Sequence, residues 1–312
     1  MASIQSFGHY LPDRILSNAE LARLLDCDPA WIFESSGIEE RRIAADHEED
    51  ETIAAMAERA SRNCLERAGA VAEQIGLVIL SSATSPQRFP GPASQLAQRL
   101  GLAGIPALDL PVASAGSLFG LALASQLAPV YGTVLVAAAE KMSGPASSEP
   151  LDRNVAILFG DGAGACLVTH SPGTLEIVDA VLHSDGTYAD DLRLPFSGPI
   201  HMDGRTVILQ AARRMPGAIA EILARHSVDA ATVHTFLLHQ ANNNLTARVA
   251  KVLGVPAARF FSNIRHYGNT SSASLLIAAS EWSEKAVIEA GDYVCFSAFG
   301  AGFHWGAVLA RK

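Results

Sequence analysis

The sequence predicts an α/β protein in which two similar halves share one chain of 312 residues. Three observations predict it: strands that are apolar throughout, helices that alternate with them, and an order of elements that occurs twice. Strands without polar alternation are covered on both faces, and alternation with helices implies mainly parallel sheets with right-handed crossovers. Because an internal repeat changes the fold class, the two halves are taken in order.

In the first half, residues 52–68 carry helical spacing, with Ile53, Met56, Ala57, Ala60 and Cys64 on one stripe. The apolar run 75–80 reads as a strand that ends in a polar SSATS loop. Residues 106–111 follow, and the small residues from Ala113 to Gly116 open an apolar helix reaching about Leu127. The apolar stretch 118–139 is long enough to resemble a membrane span, but Pro129, Tyr131 and Gly132 interrupt it. It reads as a buried helix, a turn and a strand over 133–139.

The second half has the same order. A helix over about 207–225 leads to a strand over 233–238, then to the polar HQANNN loop. A strand over 259–264 precedes YGNTSSAS, which opens another helix, and a strand over 292–297 follows. Ser114 lies 33 residues after Ser81, and Asn269 lies 30 after His239. The expected division is 1–170 and 171–312. Two independent α/β domains are the alternative, but no Pro/Gly/Ser-rich or charged linker marks the midpoint. A helix held between two sheets needs small residues, which the composition supplies.

An apolar fraction of 49% and a charged fraction of 18% describe a well-packed chain. A net charge of -9 and a pI near 5.5 argue against a general binder of nucleic acid or of membrane surfaces, since both are polyanionic. Cys27, Cys64, Cys166 and Cys295 form no CxxC pair, so neither a disulfide framework nor a metal site is expected. The N-terminus lacks the basic and apolar segments of a secretory signal, and a cytoplasmic location is expected.

Strand-to-helix junctions in such sheets present side chains at the carboxyl ends of strands, where helix N-termini favour negative charge. Ser114, His239 and Asn269 stand at three such junctions. Singly, each has an ordinary reading: a helix cap, a structural histidine, a turn. Their placement at corresponding points of a repeated unit favours chemistry. Serine can attack an acyl carbonyl, histidine can hold or move a proton, and an asparagine amide can donate to an oxyanion.

FGDGAGA, residues 159–165, fits neither a dinucleotide fingerprint nor a P-loop and reads as a tight turn. AFGAGF, residues 298–303, follows the last buried strand, where backbone N–H groups of Gly300, Ala301 and Gly302 could cradle an oxyanion. A serine hydrolase is the competing class, but Ser114 lacks the first glycine of GxSxG and a hydrolase would not explain the repeat.

These motifs resemble those of the β-ketoacyl-acyl-carrier-protein synthase III family of the thiolase superfamily. The resemblance runs from YLPDRILSNAEL and WIFESSGIEERRIAA through FGDGAGA, HSDGTYADDLRLP, HQAN and HYGNTSSAS to AFGAGFHWGAVLAR. It implies the thiolase fold, five αβαβα layers built from two similar halves, and a cytoplasmic homodimer. It also implies an acyltransferase that takes acyl groups from coenzyme A and meets malonyl groups on acyl carrier protein, with no cofactor of its own.

By resemblance, His239 and Asn269 stabilise an enolate. The Ser114 N–H and the 300–302 loop hold the acyl oxyanion, and Phe89 shapes the neighbouring subunit's acyl pocket. Trp31 and Arg153 match residues flanking adenine, while the arginines expected near Ser35 and at Asn244, in the substrate-binding surface, are absent. Arg213, Arg214, Arg248 and Lys251 form a basic rim suited to an acidic carrier protein.

The principal departure is Ser114, which stands where the family carries a nucleophilic cysteine. Three readings follow: an active serine acyltransferase, a condensing enzyme with an engineered cysteine-to-serine change, and a silent partner subunit of a synthase. The family's loop often has glycine at Ala301.

Overall fold

The computed structural model describes residues 1–45 and 49–312. The chain opens with β1 (Ser3–Tyr10), then a ribbon of β2 (Ile15–Ser17) and β3 (Glu40–Arg42) that brackets α1 (Asn18–Leu25) and α2 (Pro29–Ser36). Next come α3 (Ile53–Ala68), β4 (Leu77–Ser81), α4 (Pro92–Arg99), β5 (Ala107–Leu110), α5 (Gly116–Tyr131) and β6 (Thr133–Lys141). Short helices α6 (Ser143–Ala146) and α7 (Arg153–Ala156) lead to β7 (Asp161–Thr169) and β8 (Leu175–Ser184). The ribbon β9 (Leu192–Arg193) and β10 (His201–Met202) precedes α8 (Gly204–Arg225), β11 (Thr235–Leu238), α9 (Asn243–Leu253) and β12 (Phe260–Phe261). Helices α10 (Ile264–Tyr267) and α11 (Ser274–Lys285) and the hairpin β13 (Tyr293–Gly300) and β14 (His304–Arg311) complete it.

Ten strands form one ladder in the order β12-β11-β13-β14-β8-β1-β7-β6-β4-β5. Read outward from the centre, the pairings on both sides are antiparallel, antiparallel, parallel, parallel. The two sides join where β1 meets β8 at Ser3–Glu176 and Ile4–Leu175. The expectation of mainly parallel sheets is therefore corrected: parallel pairing is confined to the outer strands. One cause is local, because β13 returns as β14 through the short turn 301–303, and a tight turn can join only antiparallel neighbours.

The helices divide into layers. Leu118 and Leu121 of α5 and Leu275 and Leu276 of α11 share one core with Ile79 and Val136 on one side and Phe296 and Val308 on the other. Helices α3 and α4 cover the outer face of the first five strands, and α8 and α9 cover that of the second five. The result is the αβαβα sandwich. Helix α3 starts where the Thr52 side chain accepts the Ala55 N–H and stops at Gly69, in the left-handed region at φ 61°.

Three local expectations change. Residues 161–169 of the glycine-rich stretch are a buried strand rather than a tight turn, because α11 lies too close for side chains. A Cβ on Gly164 would stand 2.5 Å from that of Leu276. The strand expected over 259–264 shrinks to Phe260–Phe261, and α10 follows. Helix α5 continues past Leu127, with Pro129 in its last turn. Among the described residues, no helix is long and apolar enough to cross a membrane.

Candidate active site

The loops after β4, β5, β6, β11 and β13 leave the sheet at the carboxyl ends of parallel strands, and they converge on one cleft. Ser114, His239, Asn269 and Ala301 line a cavity of about 110 Å³ whose other walls are mainly apolar, among them Leu158, Leu194 and Leu245, with Arg193, Asn242 and Ser271 as polar exceptions. A second cavity of about 770 Å³, with Ser82, Thr84, Asp109 and Lys141 on its walls, shares Ala83, Ala113, Leu194 and Ala301 with the first. The two meet beside Ser114.

Ser114 sits just ahead of α5 with φ 61°, a region that non-glycine residues seldom enter. Neighbours hold it there. Ala115 donates its N–H to Ala113 O at 2.6 Å, and Gly300 packs so tightly on that carbonyl that a Cβ would stand 1.9 Å from it. The Ser114 N–H donates to Ser271 Oγ at 3.0 Å. Ser271 is itself in the left-handed region, φ 47°, so the two junctions are clasped through a pair of unusual backbones. The N–H expected to hold an oxyanion is thus already engaged. Ala301 has no positive φ, and alanine fits that position without backbone strain.

His239 is 4% exposed at the end of β11, with its main-chain N–H donated to Ser297 O at 2.9 Å. Burial alone pushes its imidazole down to about 3, so the ring is neutral at neutral pH. Nδ1 lies 2.6 Å from Ser274 Oγ. Asn269 is pinned through its backbone: its N–H donates to Leu158 O, and its carbonyl accepts from Gly160. Its Oδ1 accepts the Ser271 N–H at 2.8 Å, which leaves Nδ2 as the end that can donate into the cavity.

Sequence reasoning did not find Glu140, Ser271, Ser272 or Ser274. Glu140, wholly buried at the end of β6, accepts from Ala83 N–H at 3.0 Å, Thr84 Oγ1 at 2.7 Å and Ser272 Oγ at 2.6 Å. Burial raises its carboxyl, and these donors, together with a bond from Ser271, oppose the rise. One carboxylate thereby ties the 81–84 loop to the 269–274 loop. An acidic residue ending an otherwise apolar strand was the available signal.

The remaining expected residues lie outside this cavity. Arg153 stacks over Trp31, 5.3 Å from guanidinium carbon to ring centre. Asn244, exposed in the first turn of α9, donates from Nδ2 to Glu34 O and Ser35 O and so braces α9 against α2. Phe89 is 85% exposed and does not reach its own chain's cleft. Gly300 and Gly302 flank Ala301 in the turn beside Ser114. Arg213, Arg248 and Lys251 are exposed, but Arg214 is not part of a rim. It pairs with Asp185 at 2.7 Å and lies over Trp305, 4.2 Å from its ring centre. Among the described residues, no cluster of His, Cys, Asp or Glu is placed to hold a metal.

Comparison with known proteins gives a consistent result. Residues 108–186 match the family model described as 3-Oxoacyl-[acyl-carrier-protein (ACP)] synthase III, and residues 223–312 match its C-terminal counterpart. The chain is 36% identical over 329 residues to the β-ketoacyl-[acyl-carrier-protein] synthase III of Chlamydia caviae, covering 100% of this chain and 97% of that one. The crystal structure of 3-oxoacyl-[acyl-carrier-protein] synthase III from Aquifex aeolicus VF5 superposes with a TM-score of 0.94, at 35% identity and full coverage of both chains. That of the synthase III from Pseudomonas aeruginosa PAO1 superposes at 0.92, with 34% identity and 99% and 98% coverage.

Proposed function

The chain belongs to the 3-oxoacyl-[acyl-carrier-protein] synthase III family, a family of transferases with the thiolase fold, and from that premise we propose that it carries acyl groups as an ester on Ser114. The donor in this reading is a thioester of coenzyme A or of acyl carrier protein. The observation that carries it is the position of Ser114 at the meeting of two cavities, ahead of α5 and facing the cleft that His239 and Asn269 line.

In the first step Ser114 Oγ attacks the thioester carbonyl, the C–S bond breaks, and the hydroxyl proton ends on the departing thiol. The positive end of α5 and the N–H groups of the 300–302 turn favour the transient oxyanion. In the second step an acceptor takes the acyl group, and Ser114 recovers its proton. Where the acceptor is a malonyl thioester, loss of carbon dioxide leaves an enolate whose oxygen His239 and Asn269 Nδ2 can bind. The enolate carbon then forms the C–C bond as the ester C–O bond breaks, and the released Ser114 oxygen takes its proton from water.

Serine shifts the balance between these outcomes. A thiol with a pKa of about 8.5 is partly ionised at neutral pH, whereas a hydroxyl is not. An oxygen ester is also less activated toward carbon attack than a thioester. Transfer to an oxygen, nitrogen or sulfur acceptor is accordingly favoured over condensation. The reading includes a cytoplasmic location and a homodimer, the dimer supported by the edge of β5, unpaired among the described residues, by Leu108 at 48% exposure and by Phe89. Arg213, Arg248 and Lys251 are the cations offered to an acidic carrier protein.

Intact-mass measurement after incubation with a panel of acyl-coenzyme A and acyl-carrier donors tests this. The expected result is an ester adduct mapped to Ser114 and absent from Ser114→Ala, with Ser114→Cys instead forming the corresponding thioester at least about tenfold faster. Full transfer activity in Ser114→Ala would overturn the reading.

A further inference from the structure

His239 has a partner whose proton inventory decides what the ring can do. Ser274, the first residue of α11 and 2% exposed, places its Oγ 2.6 Å from Nδ1 and also accepts the Gln240 N–H at 3.1 Å. A hydroxyl has one proton to give and two lone pairs to accept with. The Gln240 N–H takes one lone pair, and two arrangements remain. If Nδ1 carried the proton, the hydroxyl would accept twice and its own proton would be buried with no acceptor among the described residues, at the full desolvation cost of that donor. If the hydroxyl donates to Nδ1, every group is satisfied.

We propose that Ser274 is a positioning residue that fixes His239 with its proton on Nε2, making the ring a hydrogen-bond donor to the cleft and withholding an imidazole base from Ser114. The nitrogen that faces away sets the tautomer of the one that faces in. Burial then keeps the ring in that neutral form, since protonation is pushed far below the physiological range. Asn269 is held the same way, its Oδ1 occupied by the Ser271 N–H so that Nδ2 is turned outward. Two junction residues are thus locked as donors to the one cavity they line, and the proton of Ser114 must leave with the departing thiol.

The tautomer does not depend on the proposed acyl transfer; its catalytic consequence rests on that reading. Protein labelled with nitrogen-15 histidine, the His239 signals assigned by their absence from His239→Gln, should show the Nε2–H tautomer throughout pH 5–8. Ser274→Thr should keep it, and Ser274→Ala should lose its dominance. With malonyl-coenzyme A as probe, Ser274→Ala should slow decarboxylation about 10- to 100-fold, by analogy with removal of the orienting partner of a metal-bound histidine. Its rate of ester formation on Ser114 should rise, because the other tautomer leaves Nε2 free to act as a base. A proton on Nδ1 in the unsubstituted protein, or the same tautomer balance in Ser274→Ala, overturns the proposal even if the acyl ester forms. The stated tautomer without any ester on Ser114 instead defeats the acyl-transfer reading alone.

Discussion

The junction that carries Ser114 and the junction that carries Asn269 occupy matching places in the two sides of the sheet, yet they are built to opposite ends. At the first, the backbone is restrained while the reactive side chain is left without a hydrogen-bond partner among the described residues. At the second, and at the His239 junction bonded to it, the side-chain atoms of Asn269 and His239 that do not face the cleft are used: Asn269 Oδ1 by Ser271, and His239 Nδ1 by Ser274. The difference separates two tasks. One junction presents an atom that must form and break bonds, while the other presents fixed dipoles to charge that appears during reaction, and preorganised dipoles act without reorganising.

The comparison is broken most severely by removing a dipole. Asn269→Ala deletes the Nδ2 donor, and the decarboxylation rate of a malonyl thioester should fall about 10²- to 10³-fold, the usual consequence of losing one such donor. Ester formation on Ser114 should change far less. Equal losses in both rates, read from product release and from intact mass, would show that the junctions do not divide the work.

These residues were legible to different degrees, for physical reasons. Ser114, His239 and Asn269 could be found because Ser114 and Asn269 open equivalent helices, His239 ends an apolar strand in a polar loop, and a repeated order of elements aligns these positions. The layered architecture was legible for the same reason, though the antiparallel centre was not, since apolar strands read alike whichever way they pair. FGDGAGA read as a turn because glycine permits turns. Its actual cause, the approach of α11 to Gly164, is a contact between segments more than a hundred residues apart. Ser271, Ser274 and Glu140 act through tertiary partners, and no local pattern distinguishes a serine that clasps another loop from one that caps a helix. Arg214 was misread because exposure cannot be inferred from charge when an acid and an indole lie within reach.

A smaller effect sharpens the part played by His239 beside the second junction. A histidine held near 3 stays unprotonated in the fold while the unfolded chain binds a proton below about pH 6.5, so stability falls as pH falls through that window. The slope is about 1.4 kcal/mol per pH unit. His239→Gln carries no such penalty. Its stability relative to the unsubstituted protein should therefore rise by about that amount for each unit between pH 6 and pH 4, as urea midpoints would register. A constant difference would mean that His239 titrates normally.

The smallest effect concerns the clasp between the junctions. The Ser114 N–H that could serve an acyl oxyanion is committed to Ser271 Oγ, and it must leave that acceptor before it can serve. Ser271→Ala removes the acceptor. A buried hydrogen bond of this kind contributes about 1 kcal/mol net, so the variant should be less stable by roughly that amount, seen as a lower urea midpoint. The same energy no longer opposes oxyanion binding, and ester formation on Ser114 should accelerate by up to about fivefold. A variant that is both less stable and slower to acylate would assign the clasp a purely supporting role, because the left-handed turn at Ser114 would then need Ser271 more than the oxyanion needs the freed N–H.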